Sequence, residues 1–258
     1  MKPKVLKSLL FREINSLDRS EYAKSPDVDF TRSRKLPFYA LITTMLRMEG
    51  KSMGNELISM FPKASGTPSV SAFVQQRSKL KEGVFDDLFH SLVRSAESIQ
   101  KPKTINGLRL LAVDGSDVQI PTDTTHTDSL VALKQGKEIY NMLHINALYD
   151  LIQRTYVDDI IQDYNNMNEH KAFVEMVDRS WLDNVLVMAD RGYESFNNMA
   201  HAAEKGWYFL FRARESHGIA DGLDLPAAGS FDVPIDLRLT RKQTKEAKAL
   251  FADRNHYH

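Results

Sequence analysis

The chain has 258 residues, 42% of them hydrophobic and 26% charged, with 34 basic side chains against 34 acidic ones. That balance supports a sizeable core and excludes wholesale disorder, a collagen-like rod and a disulfide scaffold. Cysteine is absent, which rules out thiol nucleophiles and thiolate zinc sites and fits a reducing compartment. The neutral total hides a split. Residues 1–100 carry 16 basic and 11 acidic side chains, and the remainder 18 and 23. A basic front half joined to an acidic back half suggests a polyanion reader attached to something else. No apolar run reaches the length of a membrane span. The first residues lack the long apolar stretch and small-residue cleavage site of a signal peptide. A soluble, cytoplasmic protein without membrane contact is expected.

Residues 5–100 read as helices. Pro37 to Met48 carries Leu41, Ile42, Met45 and Leu46 at helical spacing, and Gly50 ends the pattern. Ser52 is expected to cap a helix over 53–61, with Leu57, Ile58 and Phe61 as its apolar stripe. Pro68 suits a first helical position, and Val70, Phe73 and Val74 fall on one face of a helix over 68–80. These two helices resemble a helix-turn-helix, and Ser71, Gln75, Gln76, Arg77, Ser78 and Lys79 are polar groups able to meet base edges or phosphates. An ordinary helical bundle is the plainer reading. Phe85, Leu88, Phe89, Leu92 and Val93 make another stripe, and Lys101-Pro102-Lys103 marks a linker.

Beyond the linker the period changes. Leu108 to Val113 is a continuous apolar run of the kind found in buried strands. Met142 to Leu151 is a second strand, and Thr155 to Ile161 a third that Asp158-Asp159 interrupts. A helix over 169–181, a strand over 185–189, a helix over 195–204 and a strand over 207–211 follow. The order is mixed α/β. Past Arg214 glycines and prolines punctuate the chain, and only Val233-Pro-Ile-Asp-Leu-Arg-Leu alternates like a strand.

Two of these strands are expected to end in a carboxylate. Asp114 follows Leu-Leu-Ala-Val, and Asp190 follows Leu-Val-Met-Ala. Taken singly, each has an ordinary explanation: Asp114-Gly115 as a turn dipeptide, Asp190 as a helix cap. Taken together they suggest more. If the strands lie side by side the carboxylates converge, and converging carboxylates repel unless they share a proton or bind a cation. Hard oxygen donors without cysteine point to Mg²⁺ or Mn²⁺. His144, inside an apolar strand, reads as a satisfied core histidine. His126, His170 and His201 show no metal-ligand spacing.

Leu111-Ala-Val-Asp-Gly-Ser and Met188-Ala-Asp-Arg-Gly-Tyr resemble the first two acidic motifs of the DDE transposases of bacterial insertion sequences, the insertion sequence four group above all. Phe30-Thr-Arg-Ser-Arg-Lys-Leu-Pro-Phe and Pro68-Ser-Val-Ser-Ala-Phe-Val-Gln-Gln-Arg-Ser-Lys-Leu resemble that group's front segments. The resemblance implies a helical DNA-binding region over 1–100 and an RNase H-like mixed sheet with flanking helices over 101–214. It also implies the start of an inserted β-rich region over 215–258, where Arg238 to Lys248 resembles part of the insertion. The expected partners are double-stranded DNA at insertion-sequence ends and, as an open option, a second copy of the chain on that DNA. The expected setting is the bacterial cytoplasm, in association with the nucleoid.

The resemblance further implies that Asp114 and Asp190 are catalytic metal ligands. Asp114 would bridge two ions and Asp190 would bind one. The family's third acid is a glutamate in a Tyr-x-x-Arg-x-x-x-Glu pattern, and no tyrosine of the 258 residues has an arginine three positions on. Glu194 and Glu215 lie nearby without matching it. A chain truncated before the third acid is therefore expected, binding Mg²⁺ or Mn²⁺ weakly and not cleaving DNA productively by itself. Arg191 and Tyr193 would meet phosphate or base beside the metals, and Arg212 would sit near the substrate. The alternatives are a non-catalytic DNA-binding remnant that occupies element ends or inhibits the intact enzyme, and an unrelated nuclease of similar fold.

Overall fold

The computed structural model describes residues 2–32, 35–61, 66–132, 139–214, 218–220, 223, 225–226 and 229–235. The chain divides into two compact units, 1–101 and 102–258. The expected β-rich region past 215 falls largely outside the described residues, as do Glu215 and Arg238 to Lys248. No described helix is long and apolar enough to cross a membrane.

The first unit is helical: α1 (Pro3–Ser16), α2 (Arg19–Tyr22), α3 (Phe38–Leu46), α4 (Met53–Met60), α5 (Val70–Arg77) and α6 (Val84–Ile99). Ile14, Phe38, Leu41, Ile42, Leu57 and Phe73 are its most buried side chains and form one cluster. Two expectations need correction. The Ser52 hydroxyl makes no cap bond; instead the buried Glu56 carboxylate reaches back to accept from the N–H groups of Glu49 (2.7 Å) and Lys51 (2.8 Å). The apolar stripes are also narrower than their composition suggests. Ile58, Val70 and Val74 are exposed, while Leu57, Phe73 and the amide of Gln76 turn inward. Helices of eight residues offer only two turns to the core, so one or two anchors each suffice.

The second unit holds a six-stranded mixed sheet: β1 (Arg109–Ile120), β2 (Leu130–Ala132), β3 (Ile139–Asp150), β4 (Thr155–Asp163), β5 (Val185–Ala189) and β6 (Tyr208–Phe211). Strand β3 pairs antiparallel with β1 on one side and with β2 and β4 on the other. Strands β5 and β6 add in parallel beyond β1. Two helices supply the crossovers that parallel pairing requires, α7 (Glu169–Arg179) into β5 and α8 (Phe196–Glu204) into β6. Each is capped by the residue before it: Asn168 accepts from the N–H of Lys171, and Ser195 from that of Asn197. Phe173, Met176 and Val177 of α7 are fully buried, as are Leu111, Leu148, Val185 and Val187 of the sheet.

Strand β1 does not stop at Val113. It runs on to Ile120 against β3, so Asp114-Gly115 is not a turn. What ends at Val113 is the pairing with β5. From there β1 loses one neighbour, and its composition turns polar because Ser116 to Gln119 are exposed. The Asp158-Asp159 pair does not break β4 either. Asp158 is buried and binds the Arg179 guanidinium at 2.6 Å, which offsets the cost of its charge.

Candidate functional site

The parallel strands converge on one row. Val113 pairs with Ala189, and Ala189 with Phe211. The next residue on each strand is Asp114, Asp190 and Arg212. The Arg212 N–H continues the ladder by donating to the Ala189 carbonyl at 3.1 Å. All three side chains are exposed. Asp114 is the one that does not sit at a strand end; it lies mid-strand, at the point where the neighbouring strand stops.

Both aspartates are half-anchored. One oxygen of Asp114 accepts from the N–H of Gly115 (2.9 Å), and one oxygen of Asp190 from that of Gly192 (2.7 Å). The second oxygen of each has no hydrogen-bond partner among the described residues. The Asp190 bond caps a short 3₁₀ turn, Arg191–Tyr193, so its structural reading holds as geometry. It leaves the carboxylate available to a second role.

Tyr193 is buried beneath this row. Its hydroxyl donates to the Asn146 amide oxygen at 3.2 Å, its ring packs edge-on against Phe173, and Asn198 of α8 donates to its carbonyl at 2.9 Å. Burial pushes its phenol well above the usual tyrosine range. The negative charges of Glu169, Asp114 and Asp190 push in the same direction. The charges of three carboxylates from separate parts of the chain thus act on one phenol. The turn residue Arg191, by contrast, is exposed.

Glu169 is the residue the sequence reading missed. It opens α7, and its carboxylate lies between the two aspartate turns. A side chain at Gly115 would begin 2.5 Å from its Oε1, and one at Gly192 would begin 3.7 Å from its Oε2 and 2.9 Å from Asp190 Oδ1. His144 stands behind it. Its Nδ1 meets Asp117 Oδ1 at 2.6 Å, while its Nε2 lies 3.3 Å from Glu169 Oε1, near enough for an ion pair yet misaligned for a hydrogen bond. His144 is therefore not the fully satisfied core histidine expected. Glu194, in contrast, is spent on structure: its buried carboxylate accepts from the N–H groups of Arg214 and Ile219.

Among the described residues no three His, Asp or Glu side chains stand close enough together to hold a metal ion. Asp114 and Asp190 nevertheless fit Mg²⁺ or Mn²⁺ in donor chemistry. They are adjacent hard oxygen donors open to solvent, and such ions keep several waters readily.

In the first unit, Arg77 is exposed at the end of α5. Lys79 is already engaged, 3.6 Å from the Asp29 carboxylate and over the Phe30 ring.

Among solved structures, the chain is similar to a piggyBac transposase synaptic complex with hairpin DNA, at 11% identity and a TM-score of 0.39. It is also similar to the Drosophila P element transposase strand transfer complex, at 9% identity and a TM-score of 0.34. Each match covers 81% of this chain and 48% of the other, so the chain spans about half the length of either transposase. No curated protein matches it. The family model described as the transposase DDE domain matches residues 105–256, more than half of the sequence and the whole of the sheet that carries Asp114 and Asp190. The chain belongs to the transposase DDE domain family.

Proposed function

We propose that this chain is the Asp114–Asp190 part of a bacterial insertion-sequence transposase of the insertion sequence four group, built on an RNase H-like sheet. The whole enzyme of which it is a part would cleave and rejoin DNA at element ends with Mg²⁺ or Mn²⁺. The observation that carries the reading is the strand register: Val113 beside Ala189 sets the two aspartates next to each other across 76 residues of sequence. Family membership supplies the reaction class.

In that reaction a divalent ion, when bound, neutralises charge on the attacking and leaving oxygens of an in-line displacement at phosphorus. Asp114 and Asp190 would hold it through their open oxygens. The N–H groups of Gly115 and Gly192 fix the carboxylates' orientation. Arg212, one strand over from Asp190, and Arg191, on the turn, are the cations available to a phosphate passing the row. Tyr193 stays protonated and carries the floor of the site rather than contacting DNA, since its hydroxyl is committed to Asn146.

The helical front unit binds duplex DNA through α5, with the exposed Arg77 as the first contact and Lys79 as a weaker one. The expected working form is a pair of chains on DNA in the bacterial cytoplasm, associated with the nucleoid. Nicking of a supercoiled plasmid that carries the element's ends tests the reading. The chain is joined to a segment bearing the Tyr-x-x-Arg-x-x-x-Glu pattern, and Mn²⁺ is present. Asp114→Asn and Asp190→Asn should each abolish nicking, by on the order of a thousandfold or more if several kcal/mol of transition-state stabilisation is lost. Nicking that persists in either variant would overturn it.

A further inference from the structure

We propose that Glu169 is a further acidic residue of the Asp114–Asp190 site, a positioning residue that holds ion-bound water in place, with His144 as its buttress. The inference rests on the metal reading above and deepens it.

Three observations lead here. The first is placement: Glu169 opens α7, and its two oxygens lie near Gly115, which follows Asp114, and Gly192, two residues after Asp190, respectively. The second is His144. Its side chain is 6% exposed, its Nδ1 is fixed by Asp117, and its Nε2 is buried, has no hydrogen-bond partner among the described residues and faces Glu169. A buried ring nitrogen left without a partner costs free energy, so something must compensate it. A carboxylate 3.3 Å away supplies an attractive charge, and a small shift on loading the site would complete the bond. The third is Gly115. Any side chain there would collide with both Glu169 Oε1 and His144 Nε2, so the glycine lets β1 pass close enough for the carboxylate to stand beside the aspartates.

The geometry favours water-mediated contact over direct ligation. Glu169 does not close a three-ligand cage with its neighbours. A Mg²⁺ or Mn²⁺ held by two aspartates keeps several waters, and those waters need acceptors. An acidic side chain at a helix N-terminus is well placed to receive them, because the helix dipole favours negative charge there.

Mn²⁺ titration of the 258-residue chain, followed by electron paramagnetic resonance, tests this without requiring activity. Glu169→Gln should weaken Mn²⁺ binding about tenfold, the lower end of what loss of an outer partner costs a metal site. Glu169→Asp should recover part of the loss, and His144→Gln should lose less than Glu169→Gln does. Thermal melts identify any variant that has lost its fold, and for such a variant the Glu169→Asp comparison decides. Asp114→Asn and Asp190→Asn, run alongside, report on the underlying metal reading. If they abolish binding while Glu169→Gln changes it less than twofold, the role of Glu169 is overturned and the metal reading stands. If the unmodified chain shows no saturable Mn²⁺ binding, both fall.

Discussion

Replacing Arg109 with methionine should destabilise the sheet unit severely. Arg109 opens β1 and its Nε lies 2.7 Å from Asp150 Oδ2 at the end of β3. Asp150 is fully buried, and its other oxygen accepts from the N–H groups of Ile152 (2.9 Å) and Gln153 (2.7 Å). The carboxylate therefore stays in place when the guanidinium goes. A buried charge stripped of its partner costs about 3–5 kcal/mol. Methionine replaces most of the lost volume, so the cavity contribution is small. For a unit of this size each kcal/mol lowers the melting temperature by ~2–4 °C, giving a drop of roughly 10 °C. Circular dichroism melts at neutral pH measure it. Combining Arg109→Met with Asp150→Asn should restore part of the loss, because the amide keeps an acceptor for the Ile152–Gln153 turn and removes the charge. A single variant that melts within a degree or two of the original, or a double variant losing the sum of both single losses, would refute the reasoning.

Two other outcomes are expected. Burial, then the Asp87 carboxylate that accepts its hydroxyl at 3.0 Å, pushes the Tyr22 phenol up to about 12. An absorbance titration of tyrosinate should place Tyr22 there, and Asp87→Asn should bring it down toward the ordinary value of about 10. The folded state thus keeps a proton that the unfolded chain releases. The contribution of Tyr22 to stability should be constant below about pH 10 and be lost as pH rises from there through 12. In a mobility-shift titration, Arg77→Glu should weaken duplex binding and lower the salt slope by about one. Lys79→Glu should weaken it less, because Asp29 already shares that ammonium. Unchanged retention by Arg77→Glu would count against α5 as the DNA-facing helix.

The sequence makes some of this legible and hides the rest for definite reasons. Asp190 is readable because a short apolar run precedes it and β5 does end there. The extent of β1 is not, because its second half is bordered on one side only and so takes a polar composition that resembles a turn. Asp150 and Asp158 are buried acids that look like surface residues or strand breakers in one dimension. Their partners, Arg109 and Arg179, lie 41 and 21 residues away. Glu169 is the instructive case. A glutamate in the first turn of a helix is ordinary, and nothing local distinguishes it. Only the register of β3, which sets His144 opposite Asp117, shows which acid the helix delivers to the site.

Gly115 also bears on how the sheet finds its alignment. Strand register is normally chosen by which side chains reach the core, and a shift by two residues leaves that pattern intact. Here such a shift would bring Val113 or Asp117 to the point where Glu169 and His144 leave no room for even a methyl group. The missing side chain thus favours the alignment of β1 against β3 and α7 that brings Asp114 level with Asp190, since any other would push the Glu169 carboxylate and the His144 ring aside.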